Sequence, residues 1–236
     1  MRKLLITLLF APVLAFASGG EELHLDKAPD RSGNPASLQN GAKLFVNYCL
    51  NCHSASYMRY NRLHGIGLTD EQIKNNLLFS ADKVGELMRV AMQRQDAKEM
   101  FGTAPPDLTL VARSRSSELG SGPDWLYTYL RGFYRDDTRP SGWNNTVFPN
   151  VGMPHVLWEL QGEQVLEGHE LKLAKQGKMS PEEYNAAVGD LVGFLKYMSE
   201  PDAGFRKNLG MLVLLGLGVL FVFTYALKKE YWKDVH

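Results

Sequence analysis

Cysteine is scarce in this sequence: 236 residues hold two, three positions apart, so none is left over for a second cysteine site. Net charge is missing as well. The 26 Lys and Arg balance 26 Asp and Glu, and a chain without a basic field has nothing to draw it to the polyphosphate of nucleic acid. Internal repeats, a regular alternation of strands with helices and a Gly-rich phosphate loop are all lacking, which leaves a nucleotide-binding α/β fold without support. With 44% hydrophobic and 22% charged residues the chain is not disordered, and its length suits one domain with appendages.

Hydrophobic runs occur twice, at the two ends. Met1-Arg2-Lys3 precedes an apolar run from Leu4 to Ala17 that closes on Ala15-Phe16-Ala17, the small-x-small form of a signal-peptidase site. As an uncleaved anchor it would be short, because roughly fourteen apolar residues broken by Pro12 fall below the roughly twenty that span hydrocarbon. Residues 1–17 therefore read as a signal peptide. The second run, Leu209 to Leu227, carries no charge and gives roughly 28 Å of helix. A buried core helix is the alternative, but the apolar character goes round every face, and Arg206, Lys207, Lys228 and Lys229 bracket it at headgroup depth. The expected layout is an exported body over 18–205, a transmembrane anchor over 206–227 and a short cytoplasmic tail over 228–236. Basic residues nearly balance across the anchor, so the signal peptide sets the orientation: a single-pass protein of the bacterial inner membrane with its body on the periplasmic side.

Within the body the patterns are helical and the fold class is mainly α. Asn40 is a candidate N-cap for a helix that runs through Leu44, Phe45 and Tyr48 into Cys49. Thr69 with Gln72, and Ser80 with Lys83-Val84, mark two further starts, the second followed by Val84, Leu87, Met88 and Ala91 at helical spacing. Pro123-Asp124 opens a segment with Trp125, Tyr129, Leu130 and Phe133 on one face, and turns dominate from Asp136 to Pro154. The clearest helix spans Pro181 to Met198, with a Ser180/Glu183 capping box and Pro181 at the first position.

Both cysteines fall in Cys49-Leu50-Asn51-Cys52-His53, the pattern of c-type haem attachment. On a helix, positions three and four apart share a face, so both sulfurs and the His53 imidazole can reach the vinyl groups and iron of one porphyrin. Zinc would need about four ligands, and no second Cys or Cys/His pair stands at the usual spacing. A thiol-disulfide centre fits an exported protein but would need a βαβ context. The motif does not say what fills the sixth iron position, and that choice separates electron transfer from ligand chemistry. Met153 stands out, in the irregular loop Phe148-Pro149-Asn150-Val151-Gly152-Met153-Pro154. Met88, Met92, Met198 and Met211 read as core or membrane residues, and His155 is a rival.

Cys49-x-x-Cys52-His53, Pro105-Pro106-Asp107-Leu108, Gly152-Met153-Pro154 and a C-terminal anchor, in that order, resemble cytochrome c1 of the cytochrome bc1 complex over nearly the whole mature chain. The resemblance implies a cytochrome c-like helical domain with insertions and one covalent haem c. It implies an electron-transfer subunit rather than an enzyme on its own, passing electrons from a Rieske iron-sulfur protein to a soluble cytochrome c beside cytochrome b. It puts the thioethers on Cys49 and Cys52, the proximal ligand on His53 and the distal ligand on Met153, and pairs Arg113 or Arg115 with a haem propionate. Pro105-Pro106 can wall the haem and offer carbonyls to the proximal imidazole, or can be a rigid surface turn. Gly41 with Phe45, and Gly189 with Gly193, resemble the cytochrome c helix crossing. A cysteine pair outside the motif and a dense acidic docking run are absent. Other readings are an anchored shuttle to a terminal oxidase or reductase, a haem enzyme or sensor with an open sixth position, and a haem-free redox thiol protein.

Overall fold

The computed structural model describes residues 23–235, so the signal-peptide assignment lies outside the described residues. The first helix among the described residues, α1, spans Pro35–Leu44. Asn34 caps it by accepting from the Ser37 amide at 3.2 Å, and Pro35 sits in its first turn. The start expected at Asn40 is therefore too late: a capping Asn followed by Pro is the stronger signal, and Asn40 lies mid-helix with its amide on Asp190 Oδ2 at 2.9 Å. Beyond Leu44 the helix widens into one π turn, Phe45–Cys49, in which Leu50 N–H reaches Phe45 O at 2.9 Å.

After the motif, β1 (Ala55–Arg59) pairs antiparallel with β2 (Leu87–Met88). A 3-10 turn (Tyr60–Ile66) and α2 (Asp70–Asn76) lie between them, the latter with the expected Thr69/Gln72 capping box. The helix expected after Ser80 does not form. Ser80 Oγ bonds Tyr60 Oη at 2.9 Å instead of capping. Tyr60 N–H and Asn61 N–H donate across to Glu86 O and Val84 O, so this segment pairs with the chain after the motif and Met88 is wholly buried. A short helix, α3 (Arg94–Phe101), and a single turn, α4 (Val111–Ser114), lead to α5 (Gly122–Arg131). Ser121 caps α5 in a box with Asp124. Phe133, expected on the same face, falls beyond it in β3 (Phe133–Arg135), which pairs antiparallel with β4 (Trp143–Asn145). The turn α6 (Trp158–Gln161) precedes a hairpin, β5 (Gly162–Glu167) with β6 (Glu170–Gln176), that the sequence reading missed.

The core is organised by α7 (Pro181–Ser199), with the capping box as expected and nearly all of its apolar side chains buried. It crosses α1 where Gly41 meets it. A Cβ at position 41 would stand 2.1 Å from Asp190 O and 2.7 Å from Phe194 Cβ, and Phe45 packs its ring 5.6 Å from that of Phe194. The glycines on α7 do something different from the expected crossing: Gly189 and Gly193 admit Pro29 and Arg31 of the extended N-terminal strap. That strap is tied down by Asp26 N–H to Thr128 Oγ1 and Ala28 N–H to Asp124 Oδ1, both 2.8 Å. Gly41→Val is expected to destabilise the domain by about 3 kcal/mol, because backbone must move to admit the side chain, and to lower Tm by roughly 6–12 °C in a thermal melt.

The last helix, α8 (Ala203–Tyr231), starts three residues before the expected boundary and contributes nothing to the core. It is long and apolar enough to cross a membrane, with a mean hydropathy of 2.3 and none of that stretch buried. Arg62 donates to both oxygens of Asp202, at 3.2 and 3.0 Å, and Glu200 bridges Arg113 and Arg206, each at 3.0 Å.

Candidate functional site

The π turn at Phe45–Cys49 buries Cys49 and ends α1 in a turn in which Cys52 N–H and His53 N–H both donate to Cys49 O, at 3.1 and 2.9 Å. Such a bulge re-aims the residues that follow it. Here it brings Cys49, Cys52 and His53 onto the wall of one cavity of about 1280 Å³, counted with its open mouth. Neither cysteine is in a disulfide. Burial, with the neighbouring Cys52, pushes the Cys49 thiol up to about 12. Among the described residues the sheets are three separate antiparallel pairs, so the βαβ context that a thioredoxin-like centre needs is not there.

Pro105 and Pro106 form part of the same wall, and Pro106 O accepts a 2.7 Å bond from His53 Nδ1. A carbonyl can only accept, so the proton sits on Nδ1 and Nε2 keeps a free lone pair. Burial pulls the His53 pKa down, against the Pro106 carbonyl and Asp107, which favours the neutral ring. The wall itself is bolted to the chain after the motif. Asp107 accepts from Ser56 N–H at 2.7 Å and from the Thr109 amide and hydroxyl at 2.9 and 2.6 Å, and Leu108 N–H donates to Ser54 O. Burial alone would raise the Asp107 pKa, but these bonds outweigh it and hold the carboxyl below its usual value.

Of the methionines weighed, only Met153 lines the cavity. Met88 and Met198 are core residues, and Met211 is on α8. His155 does not reach the cavity: it is 2% exposed, its ring stacked 4.8 Å from Phe133 and edge-on 5.0 Å from Trp143. Burial brings its pKa down to about 4. Arg115 lines the cavity, with its guanidinium 4.5 Å over the Trp125 ring, whereas Arg113 is committed to Glu200.

Two thiols, an imidazole of fixed tautomer, a thioether and one arginine around apolar walls are the donor set that a c-type haem requires. The family profile of the Cytochrome C1 family matches residues 29–86 and 87–235. The chain belongs to the cytochrome c1 family. It is 51% identical to the cytochrome c1 of Allochromatium vinosum across the full length of both chains. It is 49% identical to a protein of Nitrosomonas europaea named ammonia monooxygenase gamma subunit, over 100% of this chain and 99% of that one. The cytochrome c1 of Rhodospirillum rubrum is 28% identical over 84% of this chain and 81% of its own. As a cytochrome c1 family protein the chain binds one covalently attached haem c and is an electron-transfer haem subunit of a cytochrome bc1 complex.

One residue of this cytochrome c1 family site went unnoticed in the sequence. Tyr129 Oη donates to Met153 Sδ at 3.4 Å, and its ring stacks 4.8 Å from Trp125. Burial pushes the Tyr129 phenol up to about 12, so it stays a donor at any working pH. The helical stripe placed Tyr129 beside Trp125, but only the fold turns that face to Met153. A hydrogen bond to the thioether withdraws electron density from it. Tyr129→Phe is therefore expected to lower the reduction potential. A neutral bond of about 1 kcal/mol corresponds to about 40 mV for a one-electron couple, and redox titration of the purified protein reads the shift.

Proposed function

We propose that Cys49 and Cys52 would carry the haem thioethers, that His53 Nε2 and Met153 Sδ would ligate its iron, and that Arg115 would face a propionate. The observation that carries this is the Pro106 carbonyl on His53 Nδ1, which leaves one imidazole lone pair free in a cavity that Met153 also lines. Each cysteine S–H adds across one vinyl group, so attachment needs no net oxidation. Bound haem c supplies a one-electron couple that needs no ligand exchange; burial and the Met153 thioether raise its potential. The chain's own residues do the rest. Pro106 fixes the tautomer and orientation of His53, Asp107 holds the Pro106 segment in place, Tyr129 polarises the Met153 sulfur, and the apolar walls exclude water.

On this reading the chain is a conduit and not a catalyst by itself. A Rieske iron-sulfur protein supplies its electrons, cytochrome b lies beside its anchor and a soluble cytochrome c receives the electron. Residues 1–17 are removed on export, the body over 18–205 lies on the periplasmic side and α8 anchors it in the inner membrane. The bonds of Arg62 to Asp202 and of Glu200 to Arg113 and Arg206 support a haem domain held close to that surface.

The test is affinity purification of the tagged chain from gently solubilised membranes of its source. Cytochrome b and an iron-sulfur protein should co-purify, and quinol should reduce the haem in that complex. Purification with an ammonia monooxygenase and without cytochrome b would overturn the assignment of partners.

A further inference from the structure

The loop that carries Met153 has almost no regular structure of its own, and its backbone donors must be satisfied some other way. The residue that does most of this is Asn145, at the end of β4. It is 1% exposed. Its Oδ1 accepts from Val147 N–H at 2.9 Å and Phe148 N–H at 3.2 Å, and its Nδ2 donates to Tyr129 O at 2.8 Å. One amide thus faces both ways. Its oxygen folds the start of the ligand loop, and its nitrogen ties that loop to the residue of α5 whose hydroxyl meets Met153 Sδ. Asn144 repeats the device further along, its Oδ1 accepting from Asn145 N–H at 2.9 Å and Asn150 N–H at 2.8 Å.

We propose that Asn145 is a positioning residue for the sixth ligand: its side-chain amide fixes the Met153 loop against α5 and so keeps the thioether engaged. The proposal rests on the reading of Met153 as that ligand. An asparagine that merely shapes a turn would contribute to stability and nothing more. One that positions the loop sets how often Met153 leaves its place, and so how readily a foreign ligand enters, since apparent affinity scales with the population of the open state.

The experiment uses detergent-solubilised, haem-loaded full-length protein and imidazole as the probe, titrated into the oxidised form while the sulfur-to-iron charge-transfer band is followed. Asn145→Asp keeps the acceptor oxygens and loses the N–H donated to Tyr129 O; imidazole affinity should rise about tenfold, the effect of one buried hydrogen bond. Asn145→Ala loses all three bonds and should reach about 100-fold with a weakened band. Tyr60→Phe, which removes a hydroxyl bond to Ser80 at 2.9 Å away from the cavity, should stay within about twofold of wild type. Folded, haem-loaded Asn145 variants that bind imidazole like wild type, beside a Met153→Ala that binds it far more tightly, would overturn this proposal and leave the ligand assignment standing. Unchanged imidazole binding in Met153→Ala would overturn both.

Discussion

Met153→Ala is expected to turn a haem that ignores carbon monoxide into one that binds it on reduction, and to lower the reduction potential by roughly 100 mV or more. Two observations make the effect large. Of the methionines weighed as sixth ligand, only Met153 lines the cavity, and the rival His155 is locked between Phe133 and Trp143, with its ring outside. Among those candidates no substitute stands ready to take the place. The methyl left by alanine is too short to fill the space, so a small diatomic ligand has both room and an open coordination position. Absorption spectra of oxidised and reduced protein, with and without carbon monoxide, decide it. Carbon monoxide binding by the wild type itself would instead favour a haem enzyme or sensor.

The second large effect is loss of the cofactor. The double variant Cys49→Ser, Cys52→Ser should show no haem staining on a denaturing gel, whereas each single variant retains one thioether and some stain. The consequences go beyond colour. The cavity is walled by the π turn, α5, α7 and the loops that carry Pro105-Pro106 and Met153, with Leu126, Leu130, Leu191 and Leu195 lining it. A ligand that binds only the folded state contributes its binding free energy to stability, so the double variant should also melt at a lower temperature and accumulate less protein. A double variant that stained as strongly as wild type would remove Cys49 and Cys52 from the site.

Much of this site was legible because its chemistry is local. A Cys-x-x-Cys-His turn, a methionine in an irregular loop and a capping box at Ser180 are written in adjacent residues, and the fold kept them. What was not legible depends on distant partners. Val84 to Ala91 has helical spacing, yet its backbone pairs with the chain after the motif, because Tyr60 and Asn61 supply donors that a local pattern does not reveal. Gly189 and Gly193 look like helix-crossing residues, and the strap at Pro29 and Arg31 takes their space. The choice between Arg113 and Arg115 was open in the sequence; Glu200, far along the chain, claims Arg113 and leaves Arg115 at the cavity.

The crossing of α1 and α7 also decides when this protein can close. Asn40 and Asp190 are 150 residues apart, so the helix leading into the haem motif, which meets the 3-10 turn early through Gln39 and Ile66 O, lacks its main packing partner until nearly the whole haem domain has been made. At about 5–20 residues per second, that interval is roughly 8–30 s. Chain topology here acts as a clock: the cofactor site is synthesised early and sealed last.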